Sequence, residues 1–226
     1  MKKSFVLLVM GLLFYSGVAQ NNQEAIALEK EMVRFAKSMG DVSVTTSSMY
    51  RLVVLEGENS TYKDSLTYIY YSSRKYASCF LMSNEVLKRD PQNKAILELK
   101  ALALESLGAI DKSMEAFKDL FAVSKNNFHG YNLAKLQLTM KQYDEAYKTI
   151  LEVEAINDAG IYKVNFAINK NHTQEVELLA AIPYLKALIE IDLDKIPDAK
   201  LSLEKALKIQ ADFVLARETL DGLNKE

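Results

Sequence analysis

The sequence predicts an all-α protein built from repeated helical hairpins, with a short β-hairpin or extended insertion near residues 161–178. Apolar residues recur at helical spacing along most of the chain. Two successive segments, 94–126 and 127–158, each contain an apolar helical run, a break and a second amphipathic run. A unit that recurs at a period of about 34 residues indicates stacked repeats. The composition, 49% hydrophobic with 8 Gly and 3 Pro, suits helices and disfavours long disordered segments.

The first 19 residues are predicted to be a secretory signal peptide. Residues 1–3 are a short basic start, and residues 5–15 form a nearly continuous apolar run. Small residues at 16–19 then provide a cleavage site, which we place after Ala19. The apolar run is too short to span a membrane comfortably. The sequence therefore predicts a periplasmic or secreted protein with no integral membrane span after cleavage.

Residues 20–59 are interpreted as an N-terminal helical pair that forms a degenerate repeat. Apolar spacing predicts its helices at about 23–38 and 44–56. Gly40 follows the first of them and is expected to end it in a left-handed conformation. Gly40 also lies 68 residues before Gly108, which is two periods of 34.

Residues 60–158 are predicted to hold three further hairpins. Their helices are expected at 61–73 and 76–89, 94–106 and 110–124, and 128–140 and 143–156. Residues 180–226 are predicted to hold a final hairpin, at 180–193 and 196–209, and a closing helix. Pro183 is expected in the first turn of its helix, where proline is tolerated, and Asp212 is expected to cap the closing helix.

Two sets of small residues keep one set of intervals along the chain. The set in the first helices is Thr67, Ala101, Ala134 and Ala187, and the set in the second helices is Cys79, Ser113, Ala146 and Ala199. Within both sets the intervals are 34, 33 and 53 residues. A small side chain where two helices cross lets their backbones approach closely. All eight residues are therefore predicted to be buried.

The last of these intervals exceeds the 34-residue period by 19 residues, which places an insertion at 159–179. Tyr162, Val164 and Phe166 alternate with more polar neighbours, and this period of two predicts a strand. A polar turn at 169–172 and a possible return strand at 174–178 complete a β-hairpin or an extended arm. An isolated hairpin is only marginally stable, so we expect it to lie against the helices or against a partner.

This pattern resembles the tetratricopeptide repeat family over about residues 60–213. The resemblance rests on the 34-residue helix-turn-helix unit, on the small residues, and on the superimposable segments 111–117 and 143–147. The chain departs from the family where the family has a Trp, and its terminal Pro survives only as Pro91. The residues at the Trp place are Lys63, Leu97, Gly130 and Pro183. The resemblance implies a right-handed superhelix whose first helices line a concave groove that receives peptides or protein segments.

The resemblance also implies which residues line that groove. They are Asp64, Tyr68, Tyr71, Glu98, Leu102, Glu105, Tyr131, Asn132, Lys135 and Tyr184. Tyrosine offers a large amphipathic surface at little cost in rotamer entropy, which suits binding, although these tyrosines can equally pack between helices. Some family members hold a terminal carboxylate with Lys and Asn at set groove positions. Asp64 and Tyr68 stand there in the first clear repeat, which disfavours that mode of binding.

No constellation of residues predicts an enzyme, a metal site or a cofactor. His129 and His172, the only histidines, have no metal-ligand spacing, and no glycine-rich phosphate loop exists. Carboxylates alternate with lysines on helical faces, as expected for a solvated surface. The single cysteine, Cys79, excludes an internal disulfide and is expected to be buried. A net charge of −2 gives no indication of nucleic acid or an anionic membrane as a partner.

The sequence therefore predicts a non-catalytic scaffold that binds a peptide or protein segment in the concave groove. A structural assembly subunit that uses the 161–178 arm is one alternative, because an unpaired strand edge can add to a partner's sheet. A saccharide-binding accessory protein is another, since tyrosine faces can stack on sugars.

Overall fold

A computed structural model describes residues 22–156 and 162–225, and the chain divides into two compact units between Ala103 and Leu104. The described residues form eleven helices and one two-stranded antiparallel sheet. The predicted signal peptide at 1–19 lies outside the described residues, as does the start of the predicted insertion up to residue 161.

The first unit contains two complete helical hairpins and most of a fifth helix. Its elements are α1 (22–38), α2 (Val42–Glu56), a short 3-10 turn (Gly57–Asn59), α3 (Tyr62–Ser72), α4 (Tyr76–Arg89) and the greater part of α5 (Lys94–Ser106). Asp41 begins α2, because its side chain accepts a hydrogen bond from the Val44 N–H at 2.9 Å. Leu52, Leu66 and Val86 are fully buried in the core of this unit.

The second unit contains two further hairpins, the inserted sheet and the closing helix. Its elements after α5 are α6 (Ile110–Ser124), α7 (Asn127–Thr139), α8 (Tyr143–Ala155), β1 (Lys163–Asn169), β2 (His172–Glu177), α9 (Leu178–Asp192), α10 (Ile196–Ile209) and α11 (Val214–Leu223). The all-α architecture with a small inserted β-hairpin is the one that the sequence predicts.

Five helical hairpins turn in the same way. Each first helix is followed by one residue in the left-handed conformation, with φ between 57° and 73°, namely Gly40, Arg74, Gly108, Lys141 and Asp194. The next residue donates its backbone N–H to the carbonyl five residues back, at 2.8–3.0 Å. These bonds satisfy carbonyls that the helix end would otherwise leave unpaired. The prediction that Gly40 ends the first helix in this way is confirmed.

The small residues of the repeat frame lie where the sequence predicts. Thr67, Ala101, Ala134 and Ala187 in the first helices, and Cys79, Ser113, Ala146 and Ala199 in the second helices, all have 0% exposure. The frame predicted from their intervals is therefore confirmed.

Gly130 lies where α7 packs closely against α6 and α8. A Cβ atom built on Gly130 would lie 2.4 Å from Val153 Cγ2 and 2.7 Å from Phe121 Cε2. These two side chains come from α8 and α6, so α7 is held tightly between its neighbours. In this one repeat, a side chain at the place of the family's Trp would collide with Val153 and Phe121.

The insertion forms a hairpin that packs on the helices of its own unit. The two strands are antiparallel, with Val164 paired with Val176 and Phe166 with Gln174. Asn169 pairs with His172 at the turn that joins the strands. The Phe166 ring lies in an aromatic cluster, 5.5 Å from the Tyr184 ring and 5.0 Å from the Phe213 ring between centroids. The predicted hairpin is confirmed, and it lies against the helices.

Two local predictions in this region are wrong. Strand β2 runs directly into α9, which begins at Leu178, so Pro183 lies in the second turn of the helix rather than in the first. Asp212 does not cap α11 with its side chain. Instead, Gln174 of the hairpin accepts a hydrogen bond from the Val214 N–H at 3.0 Å and donates one to the Asp212 carbonyl at 2.6 Å.

Candidate functional site

Helix α3 presents three of the predicted partner-binding residues on one face. Asp64, Tyr68 and Tyr71 are separated by four and three residues, which places them above one another on a helix. The core is filled from other positions of α3, where Leu66 and Tyr70 are buried. Tyr68 is 49% exposed, whereas Tyr71 is half-buried and contacts the Tyr76 ring edge-on at 5.9 Å.

Asp64 is held by an ion pair with the end of α4. Arg89 Nη2 lies 2.6 Å from Asp64 Oδ2, and Arg89 Nη1 donates to the Ser60 carbonyl at 2.9 Å. Both side chains of the pair are 25% exposed. The contact therefore fixes the start of α3 to the end of α4 and orients the face that carries Tyr68.

Helix α5 repeats the spacing of this face with Glu98, Leu102 and Glu105. All three are half-buried. Glu98 and Leu102 have interactions of their own within the chain. The row on α5 combines two carboxylates with one leucine, so it offers both polar and apolar contact area.

In the second unit, three predicted residues form one hydrogen-bonded chain. Lys135 Nζ lies 2.8 Å from Glu105 Oε1 and 3.2 Å from Asn132 Oδ1. The Asn132 amide in turn donates to the Phe128 carbonyl at 2.9 Å. The Lys135 side chain is 37% exposed, and an ammonium group has three donors, of which these contacts use two. The group is thus positioned to donate one further hydrogen bond to a ligand.

Two further predicted residues are placed in the interior together with Asn132. Tyr131 is 3% exposed, Asn132 6% and Tyr184 7%. Burial raises the pKa of both phenols above the ordinary value for tyrosine. The Tyr184 ring lies 4.8 Å from the Phe213 ring and 5.5 Å from the Phe166 ring of the inserted hairpin, between centroids. Tyr131 and Tyr184 act here as packing groups, the alternative that the sequence left open for its tyrosines.

The ten predicted residues therefore differ in what they can present to a partner. Tyr68 is exposed; Asp64, Tyr71, Glu98, Leu102, Glu105 and Lys135 are half-buried; and Tyr131, Asn132 and Tyr184 are buried. Arg89, which orients Asp64, is a residue that the sequence analysis missed. Arg89 lies at the end of α4, before the next repeat begins. Only an alignment of the hairpins with one another would have pointed to it.

The described residues show little that points to catalysis. Within 22–156 and 162–225, no group of three or more His, Cys, Asp or Glu residues is placed to hold a metal ion. Cys79 is buried, its Sγ lies 3.8 Å from the Leu99 carbonyl, and burial raises the pKa of the thiol. A thiol with a raised pKa is a weak nucleophile at neutral pH.

Among the helices that the structure describes, none is long and apolar enough to cross a lipid bilayer.

The structure is similar to several solved helical-repeat proteins. A TPR protein with an unusual peptide-binding site, YrrB, superimposes with a TM-score of 0.67 at 14% identity, over 91% of this chain and 96% of that chain. A tetratricopeptide repeat protein from Parabacteroides merdae gives a TM-score of 0.64 at 14% identity, over 88% of this chain and 72% of that one. The MamA protein gives 0.61 at 16% identity, over 73% and 80%. No protein-family model and no curated protein matches the sequence. At these identities the similarity establishes the fold.

Proposed function

Because the chain has the tetratricopeptide-repeat fold, we propose that it is a non-catalytic scaffold that binds a peptide or protein segment along the first helices of its repeats. One of the similar structures is described as a protein with a peptide-binding site, which supports a protein or peptide as the partner class. The observation that carries the proposal is the exposure of Tyr68, which is 49%. The residues beside Tyr68 on the same face of α3 are held in place by contacts within the chain.

The chemistry of this face suits an extended segment. An exposed tyrosine provides a large apolar surface and a phenol that both donates and accepts hydrogen bonds. Little rotamer entropy is lost on binding, because the flanking Asp64 and Tyr71 are already held by Arg89 and Tyr76. In the second unit, contacts with the described residues use two donors of the Lys135 ammonium group, and its third donor can bind a ligand. We therefore expect partners that combine apolar side chains with carboxylate or carbonyl acceptors.

The experiment replaces Tyr68 by Ala and compares partner capture from the native cell envelope by quantitative mass spectrometry. An aromatic residue at the centre of an interface contributes about 2 kcal/mol or more, so capture should weaken by roughly 30-fold. Leu201→Ala is the matched control, because Leu201 is 65% exposed on α10, a second helix, and should leave capture unchanged. Equal capture by wild type and both variants would contradict the proposal.

We also propose that the protein acts outside the cytoplasm, after cleavage behind Ala19. The support is the basic start and the short apolar run followed by small residues. The intact mass of the protein isolated from its own cells, together with fractionation, tests this. A mass that retains residue 1 would refute it.

The contacts of the inserted hairpin do not favour the alternative in which it reaches out to assemble with a partner. Side-chain hydrogen bonds of Gln174 and Gln210 join the outer edge of β2 to the turn before α11. The Phe166 ring packs in the aromatic cluster. The hairpin thus contributes to the stability of its own unit, and we place the partner on the first helices.

A further inference from the structure

Helix α1 carries a row of large apolar side chains that the first unit does not cover. Leu28, Met32 and Phe35 on α1 and Met39 directly after its end are separated by four, three and four residues, so they form one stripe. Their exposures are 66%, 41%, 58% and 66%. The buried side of α1 is a different one and is formed by Val33 and Ala36. This spacing is the one that lets a helix pack its side chains into those of another helix.

Helix α2 extends the apolar surface beside this stripe. Tyr50 is 44% exposed and Val54 is 81% exposed. The two residues line a cavity of about 410 Å³ together with Ala25 and Leu28 of α1. The Tyr50 ring is fixed, because its hydroxyl is hydrogen-bonded to that of Tyr70. We call Leu28, Met32, Phe35, Met39, Tyr50 and Val54 the N-terminal face.

Paired charges surround the N-terminal face. Arg51 Nη1 lies 2.9 Å from Glu29 Oε1 on one side of the stripe, and Arg34 Nε lies 2.6 Å from Glu31 Oε2 on the other. An apolar centre with a polar rim is the anatomy of a protein–protein interface. The last helix of the second unit differs, because the side chains that α11 exposes include Arg217, Glu218 and Asp221. A terminal repeat needs a polar outer surface for solubility, whereas the N-terminal face is apolar.

We propose that the N-terminal face is the interface of a homodimer, in which two copies pack their α1 and α2 helices about a two-fold axis near Met32. The area is sufficient. A large side chain presents on the order of 200 Å² when fully exposed, so the six residues offer roughly 700 Å² per copy, close to the ~800 Å² per partner of a standard interface.

The shape of the face is complementary to itself. With the axis at Met32 and the two α1 helices antiparallel, Phe35 of one copy lies opposite Leu28 of the other, beside the cavity. A cavity of about 410 Å³ exceeds the roughly 150 Å³ that accommodates a benzene ring. Each copy therefore offers one aromatic side chain and one cavity to receive it, as a two-fold interface requires. A two-fold interface occupies the same face of both copies, so the assembly closes at two copies.

The first test measures the mass of the purified full chain by light scattering and sedimentation equilibrium. Wild type should be a dimer with a micromolar or lower Kd. Phe35→Glu and Val54→Arg should each raise the Kd by at least about 100-fold, because a symmetric interface carries each change twice. Both positions are exposed, so circular dichroism should stay unchanged. Leu201→Glu, at an exposed leucine on α10, should leave the dimer intact.

The second test uses the position of the axis. Met32→Cys should give a disulfide-linked dimer on mild oxidation, since a residue on a two-fold axis meets its own copy. Cys79 is buried and provides no competing thiol, so the wild-type chain should stay uncrosslinked. Lys118→Cys, at an exposed position on α6, is the matched control and should also stay uncrosslinked.

A wild-type monomer at concentrations up to about 100 µM, which would populate any dimer with a micromolar Kd, overturns the proposal. Another segment or protein would then cover the face. A dimer that persists in both charged variants also overturns it. These outcomes are independent of partner capture through Tyr68, which the same variants should retain.

Discussion

Replacing Gly130 by Ala tests how tightly the second unit is packed. In an open helix this change is favourable, because Ala exceeds Gly in helix propensity by about 1 kcal/mol. In α7 the new Cβ would stand 2.4 Å from Val153 Cγ2 and 2.7 Å from Phe121 Cε2, well inside van der Waals contact. Both side chains are buried, at 1% and 6% exposure, so they have little room to move aside.

The two effects can be weighed against each other. Overpacking of a well-filled core costs about 1–3 kcal/mol, which outweighs the gain in propensity. We expect the free energy of unfolding to fall by up to about 2 kcal/mol for Gly130→Ala. Gly222→Ala provides the control, because a Cβ at Gly222 on α11 would meet nothing within 4 Å. That variant should be stabilised by up to about 1 kcal/mol.

The assay is urea denaturation followed by circular dichroism, with the slope and the midpoint fitted separately. A lower midpoint for Gly130→Ala together with an equal or higher one for Gly222→Ala supports the packing described here. If both variants shift in the stabilising direction by similar amounts, α7 is not held tightly between α6 and α8 at Gly130.

Three further predictions concern the turns, the hairpin and a buried carboxylate. Gly108→Ala should lower the free energy of unfolding by about 1–2 kcal/mol, because an L-residue is strained at φ 73°. Lys141→Gly, at φ 58°, should leave the free energy of unfolding unchanged or raise it by up to about 1 kcal/mol. Urea denaturation of both variants tests this. Gln174→Ala removes the hydrogen bonds that begin α11 and should lower the free energy of unfolding by about 1–2 kcal/mol, whereas an unchanged Tm would contradict this role. Burial raises the pKa of Glu190, so its contribution to stability is present below the ordinary value of 4.5 and is lost as pH rises through the raised pKa. Glu190→Gln should therefore gain stability relative to wild type on going from about pH 4 to pH 7, and a constant difference in urea midpoint would contradict this.

The repeat frame could be predicted from sequence because packing restricts it strongly. Ala101, Ala134 and Ala187 stand where helices cross, and larger side chains at these places would separate the backbones. The intervals between such residues therefore survive even where other repeat positions vary. The alternation around Phe166 likewise reveals a strand, because side-chain direction alternates along any strand.

Contacts between distant parts of the chain could not be predicted in this way. Gln174 begins α11 through Val214, 40 residues further on, and no local pattern links the two. The burial of Tyr184 also depends on distant residues. Its ring packs against Phe166 from the insertion and against Phe213 from the turn before α11. The spacing of Tyr68 and Tyr71 identified their shared face, but their different exposures depend on Tyr76 of the following helix.

The burial of the single cysteine has a practical consequence. Because Cys79 is enclosed in the first unit, a thiol reagent can reach it only when that unit opens. The rate of labelling in native buffer therefore reports the opening free energy of the first unit alone, while spectroscopy of the whole chain reports both units. The protein thus carries an intrinsic probe that separates local opening from global unfolding.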